Sequence, residues 1–273
     1  MGFLLTINDI MLDAINKNRD DSESRRILWP DRNCWRIEEA SHASIIIDAA
    51  SYFEAFAEAC QNARRQILIL GWDFERRERL HRNGTGNDLP DELGAFLVAL
   101  VRRSRDLNIY LLSWDFNMIY AAERELLPAI RLRLQAPSRF HFRLDDMHPA
   151  GASHHQKVVV IDDRVAFVGG IDLSRWRWDT PEHRPDDPRR KDPSGKQYPP
   201  FHDLMMLVEG NAAARLGDLA RERWRRAHGW RIKPVVAAEP PPGHNQSNRN
   251  CMTSRWRSPE PNPLTMDGRK CWK

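Results

Sequence analysis

The stretch Ser44–Asp73, SIIIDAASYFEAFAEACQNARRQILILGWD, holds the pattern from which the fold is read. Ser44 to Asp48 is a short β-branched run, which suits a strand. From Ala49 to Arg65 the period changes. Tyr52, Phe53, Phe56, Ala59 and Cys60 recur at helical spacing and predict an amphipathic helix. Gln66 to Gly71 is apolar without alternation, as expected of a strand covered on both faces.

The same alternation continues outward. Leu93–Arg105 reads as a helix, Asn108–Ser113 as a strand, Met118–Arg133 as a helix that Pro128 would kink, and Phe140–Leu144 as a short strand. HHQKVVVID at 154–162 and VAFVGG at 165–170 read as two strands joined by a tight turn at Asp162-Asp163-Arg164. His202–Glu209 reads as a further strand and Ala212–Ala227 as a helix. Continuous apolar strands alternating with helices predict an α/β fold, a mixed sheet flanked by helices as an α/β/α sandwich. The expected organisation is an N-terminal helix and connector over 1–33, a catalytic unit over 34–237, and a tail over 238–273. That tail is rich in Pro, Asn, Ser and Arg, lacks periodicity and reads as disordered or aberrant.

Two strands end alike, in GWDF at 71–74 and SWDF at 113–116. Ligands of open α/β sheets bind beyond the carboxyl ends of strands, so Asp73 and Asp115 are candidates to line a cleft. The alternative is that each Trp packs beneath a loop while its Asp caps the next helix.

Charge narrows the partners. The formal net charge is +4, and residues 238–273 contribute +3 of it, leaving +1 for the other 237 residues. A nearly neutral folded part argues against a phosphate-tracking groove for nucleic acid. No run of 18 apolar residues occurs, so no transmembrane span is expected, and the N-terminus does not read as a secretory signal. The four cysteines show no CxxC spacing and read as reduced thiols of a cytoplasmic protein.

The chain uses arginine almost everywhere, and Lys157 is the only lysine between Lys17 and Lys191. It lies in His155-x-Lys157-x4-Asp162. An imidazole and an ammonium two strand positions apart face the same way. That pairing suits phosphate: the ammonium neutralises oxygen charge while the imidazole attacks phosphorus or shuttles a proton. Asp162, at the turn, is placed to anchor the loop or the lysine. From the chain's content of His, Lys and Asp the pattern is expected by chance roughly 0.02 times.

The HxKxxxxD motif, with GGIDL, RWDTPEH, FHDLMMLVEG and RERW after it, resembles the phospholipase D superfamily. NCWRIEEA, ILILGWDF and LLSWDFNMIYAAERELLPA are similar to the upstream part of the bacterial enzymes, the transphosphatidylases included. The resemblance spans roughly residues 25 to 230 and corresponds to the N-terminal catalytic half. It implies that His155 is one of two active-site histidines, one forming a phosphohistidine and the other protonating the leaving alcohol. It further implies that Lys157 binds phosphate oxygens and that Gly169, Gly170 and Asp172 pack beneath the phosphate, with Gly170 where many nuclease-like members carry Ser. Asp203 would orient an imidazole. No metal or other cofactor is implied for the core reaction. The implied substrate is a phospholipid at a membrane surface, met by a cytoplasmic, peripherally bound enzyme. Such chemistry uses two motifs, and this sequence carries one, so a homodimer or a complementing second half is expected. The other readings are a homodimeric nuclease-type phosphodiesterase of the same superfamily and a truncated half without activity.

Overall fold

A computed structural model describes residues 27–82, 88–114, 136–149 and 152–235. Contacts divide the chain into two units, Met1–Glu39 and Ala40–Lys273. In the first, the described residues form a turn in which Asn33 accepts the Trp29 N–H (2.7 Å) and donates to the Ile27 carbonyl (2.7 Å). The expected N-terminal helix, Asp115, the helix over 118–133 and the tail lie outside the described residues.

The second unit is built on a seven-stranded sheet. Its strands are β1 (Ala43–Ile47), β2 (Gln66–Gly71), β3 (Asn108–Trp114), β4 (Phe140–Asp145), β5 (Val158–Ile161), β6 (Val165–Gly169) and β7 (Leu204–Glu209). The spatial order is β1-β7-β6-β5-β2-β3-β4. The β2–β3 and β3–β4 pairs are parallel and the other four are antiparallel. The described helices are α1 (Asp48–Gln61), α2 (Leu93–Arg103) and α3 (Asn211–His228). None of the described helices is long and apolar enough to cross a membrane.

The unalternating strand β2 is explained by its two faces. Ile67 and Ile69 point into a cluster with Phe53, Phe56, Phe96 and Leu97 of α1 and α2. Leu68 and Leu70 point the other way, with Val158, Val160 and Trp224. Each such side chain contributes about 1.5–3 kcal/mol on burial, so covering both faces lets so short a strand hold an interior place in the sheet.

The sequence reading differs from the structure mainly at strand and helix ends. The strand expected from His154 begins only at Val158. Its neighbour β2 pairs Leu70 with Val158 and ends at Gly71, so residues 155–157 have no strand to extend against on that side. The helix expected to reach Arg65 stops at Gln61, because residues 64–66 turn their amides onto the Asp162 carboxylate. The strand expected from His202 starts at Leu204.

Candidate active site

The strand register brings the ends of six strands to one side of the sheet. Gly71 of β2 pairs with Ser113 of β3, and Trp114 pairs with Asp145 of β4. On the other flank the Gly169 N–H reaches the Lys157 carbonyl at 3.3 Å, and the Gly170 N–H reaches the Leu204 carbonyl at 3.0 Å. Lys157, Gly169, Gly170 and Asp203 therefore share the carboxyl end of the parallel strands, where α/β sheets place their ligands.

Trp72 organises this end. Its indole stacks on Trp114 at 5.7 Å between centroids. The His155 ring meets it edge-on at 5.5 Å, and the Lys157 ammonium lies 5.6 Å from its centroid. The two motif residues thus meet through a shared tryptophan, not through strand periodicity, because neither lies in a strand. They also differ in access: the His155 side chain is exposed and Lys157 is buried.

Lys157 approaches Asp172 with Nζ–Oδ2 of 2.9 Å, the side chains being 5% and 1% exposed. The ion contact is not fully aligned as a hydrogen bond, and an ammonium has three donors, so at least two remain beyond its counter-ion. A buried ammonium carries three donors, and leaving them unpaired is costly. Oxygen atoms of an anion would satisfy them. Asp172 is itself fixed, because its Oδ1 accepts the backbone N–H groups of Trp72 (2.9 Å) and Asp73 (3.3 Å). Beneath the pair is a cavity no larger than a water molecule, lined in part by Tyr52, Gly71 and Ile171. Burial pushes the Tyr52 hydroxyl well up, so it stays neutral.

Gly169 and Gly170 are needed for close approach. A Cβ on Gly169 would stand 2.3 Å from the Leu204 carbonyl oxygen and 2.8 Å from Met205 Cα. A Cβ on Gly170 would stand 2.2 Å from Asp203 Oδ2. Asp203, expected to orient an imidazole, accepts the Leu204 N–H through Oδ1 at 2.7 Å. Among the described residues no imidazole reaches its carboxylate. The adjacent His202 bonds to Asp48, at 2.8 Å.

The assignment of Asp162 to the chemistry needs correction. It stands at the opposite end of β5 from Lys157, where its backbone N–H bonds to the Gln66 carbonyl at 2.8 Å. Its carboxylate accepts the N–H groups of Arg64, Arg65 and Gln66 at 2.7, 2.8 and 2.7 Å. It ties the β5–β6 turn to the start of β2. The carboxylate at the lysine is Asp172.

The sequence reading weighed Asp73 and missed what surrounds His155. Asp73 accepts the Ser174 hydroxyl at 2.6 Å and the Phe74 N–H at 2.9 Å. The duplicated Trp-Asp ends were the available signal, and their tryptophans, Trp72 and Trp114, form the wall. Also unread were Asp145, paired with Arg223, and the His148 and His154 rings, which meet edge-on at 5.6 Å. His148 in turn packs on Trp114 at 5.7 Å.

Comparison with known proteins finds similarity to one family. The family described as phospholipase D matches residues 132–249. Phospholipase D C of Dictyostelium discoideum is 27% identical over 66% of this chain and 12% of its own length. Phospholipase D1 of Homo sapiens is 32% identical over 54% of this chain and 14% of its own length. Over this stretch the chain is similar to the phospholipase D superfamily. It spans about an eighth to a fifth of these relatives, and 20% of phospholipase D zeta 1 of Arabidopsis thaliana, to which it is 28% identical over 70% of its length. Among solved structures, NucT of Helicobacter pylori overlays with a TM-score of 0.45 at 11% identity, covering 68% of this chain and 96% of NucT. The phosphatidylserine synthase of Haemophilus influenzae also gives 0.45, at 13% identity, over 80% and 44%. Within a superfamily of phosphodiesterase-type enzymes, the buried ammonium and exposed imidazole are the elements of this chain suited to a phosphodiester.

Proposed function

We propose that this chain is one catalytic half of a phospholipase D-type phosphodiesterase, acting on phospholipids through a phosphohistidine. The observation that carries the reading is the convergence on Trp72 of an exposed imidazole, His155, and a buried ammonium, Lys157, that pairs with Asp172 and keeps donors to spare. In this reading one imidazole nitrogen attacks phosphorus and the phosphorus–oxygen bond to the head group breaks. The departing alkoxide takes a proton from a second imidazole. Water then attacks the phosphohistidine, gives its proton to that second imidazole and releases phosphatidate; an alcohol in place of water gives transphosphatidylation. Lys157 neutralises the non-bridging oxygens, whose charge grows in the transition state.

In-line displacement wants the nucleophile and the acid on opposite sides of phosphorus, so the second imidazole comes from a second motif. A second copy or a complementing half would bring it. Such a partner has an apolar surface available beside Asp203. Ile45, Ile47, Leu204 and Met206 are exposed, and they pair across β1 and β7 as Ile45–Met206 and Ile47–Leu204. The near-neutral folded part favours a lipid substrate over nucleic acid.

The test is turnover of phosphatidylcholine vesicles and of bis(p-nitrophenyl) phosphate across a protein dilution series. The expected result is activity that falls faster than concentration as dimers dissociate, or that appears only on adding a second HxKxxxxD half. His155→Ala abolishes it and a phosphoryl adduct is lost. Activity strictly proportional to monomer, or turnover surviving in His155→Ala, overturns the reading.

A further inference from the structure

Away from His155 and Lys157, three segments distant in sequence converge on one carboxylate. Asp48, at the start of α1, is fully buried and holds a left-handed φ of 64°. Its Oδ1 lies 2.8 Å from His202 Nδ1, ahead of β7. Its Oδ2 lies 3.3 Å from His183 Nε2, in the long loop between β6 and β7. That Oδ2 is buried and receives no hydrogen bond. One donor atom from each residue fits within a sphere where all lie within 4.8 Å of one another.

His183 is oriented from behind. Its Nδ1 lies 3.1 Å from Asp179 Oδ2. Asp179 is itself held by the Arg190 guanidinium at 2.9 Å and by the N–H groups of Thr180 and Phe201, both at 2.9 Å. In the neutral tautomer that donates its Nδ1–H to Asp179, His183 presents the Nε2 lone pair to a carboxylate oxygen that already lacks a donor. Two lone pairs facing each other at 3.3 Å are repulsive unless something positive stands between them. A carboxylate–histidine arrangement with the far nitrogen aimed at a second carboxylate is how proteins hold histidine toward a metal ion. The His202 side chain is 62% exposed, so the site opens to solvent there and leaves room for water as a further ligand.

We propose that Asp48, His183 and His202 form a binding site for a divalent transition-metal ion, of which Zn²⁺ is the probe. Two imidazole nitrogens and one carboxylate oxygen are the donor types that zinc takes, at about 2.0–2.2 Å. Ligands at that radius stand about 3.4 Å apart in a tetrahedron, close to the 3.3 Å between Asp48 Oδ2 and His183 Nε2. The ion would staple the long loop and the start of β7 to the start of α1. It has no place in the phosphodiester step, so this inference stands or falls apart from the proposed function. Asp48 also bonds Asp203 through the backbone, its N–H reaching the Asp203 carbonyl at 3.0 Å, so the staple would stiffen the rear of the site.

The test uses the full chain, stripped with a chelator and titrated with Co²⁺ and Zn²⁺ alone. The expected result is one ion per chain, cobalt absorption without a thiolate charge-transfer band, and a melting temperature raised by Zn²⁺. His202→Ala, at an exposed position with little to lose in folding, weakens binding more than tenfold and abolishes the melting shift. His183→Ala does the same. Asp179→Asn weakens binding about 10–100-fold, as for outer partners of metal ligands. His42→Ala, on a histidine paired instead with Glu209, changes nothing. Absence of saturable binding, a thiolate band, or stoichiometric binding retained in both His183→Ala and His202→Ala overturns the site. So does a His183 ring found by NMR to be an imidazolium bridging Asp48 and Asp179 and indifferent to Zn²⁺.

Discussion

Lys157 Nζ lies 2.9 Å from Asp172 Oδ2 in surroundings that leave neither side chain more than 5% exposed. Removing one member of such a pair strands a charge in a poorly solvated place, which costs about 3–5 kcal/mol. Lys157→Met and Asp172→Asn should each lower unfolding free energy by about that much in urea titrations. The double variant should lose less than the sum, with a coupling of about 0.5–3 kcal/mol. Strict additivity would mean that the two charges do not compensate one another. The same Lys157→Met protein should lose protection by inorganic phosphate in melting experiments.

Gly169 and Gly170 are adjacent yet should respond differently to alanine. The Gly169 Cβ would strike backbone, the Leu204 carbonyl and Met205 Cα. That contact is relieved only by moving β7. The Gly170 Cβ would strike the Asp203 carboxylate, which can rotate away at the cost of its bond to the Leu204 N–H. Gly169→Ala is therefore expected to cost about 3 kcal/mol and Gly170→Ala about 1 kcal/mol, within the range of overpacking. Chemical denaturation of the two variants decides the order. Equal losses would show that Asp203 is as rigid as the strand.

Period and composition carried most of the fold into view. Ile67 to Leu70 is apolar at every position because helices cover both faces, and that is visible without coordinates. The fixed spacing of His155 and Lys157 likewise marks them in one dimension. What stayed hidden depends on which chain ends meet in space. Asp162 and Asp172 are equally plausible partners for Lys157 in the sequence, and only the register of β5 against β2 and β6 separates them. The cluster joins Asp48 to two histidines that lie over 100 residues further along the chain, so no local spacing announces it.

Glu78 gives the protein a specific pH response. Burial raises its carboxyl to about 7, outweighing the Arg82 guanidinium that it pairs with. An acid whose folded value exceeds its unfolded value binds its proton more tightly when folded. Stability from this group is therefore full below about pH 4.5 and falls as pH rises toward 7. The full span is on the order of 3 kcal/mol. Glu78→Gln should flatten this component of the unfolding free energy between pH 4.5 and 7 relative to the parent protein. Matching slopes in both proteins would refute the assignment.

His155 and Asp162 belong to one eight-residue pattern but stand at opposite ends of β5, and their substitutions should separate cleanly. Asp162 accepts three backbone N–H groups. Hydrogen bonds to a charged group contribute about 1.5–3 kcal/mol each and do not add fully, so Asp162→Ala should cost about 3 kcal/mol or more. Asp162→Asn, which keeps one acceptor oxygen, should recover part of the loss. Where either variant is still folded, Lys157 and Trp72 are undisturbed, and phosphate protection should persist. His155→Ala reverses the pattern. The exposed ring touches the Trp72 edge, so stability should move by no more than about 1 kcal/mol while turnover of the complemented or dimeric enzyme disappears. The decisive measurement is paired, with urea unfolding and vesicle hydrolysis on the same preparations. If folded Asp162→Ala loses turnover at unchanged stability, the carboxylate reaches the chemistry after all, and the positioning role assigned to it is wrong.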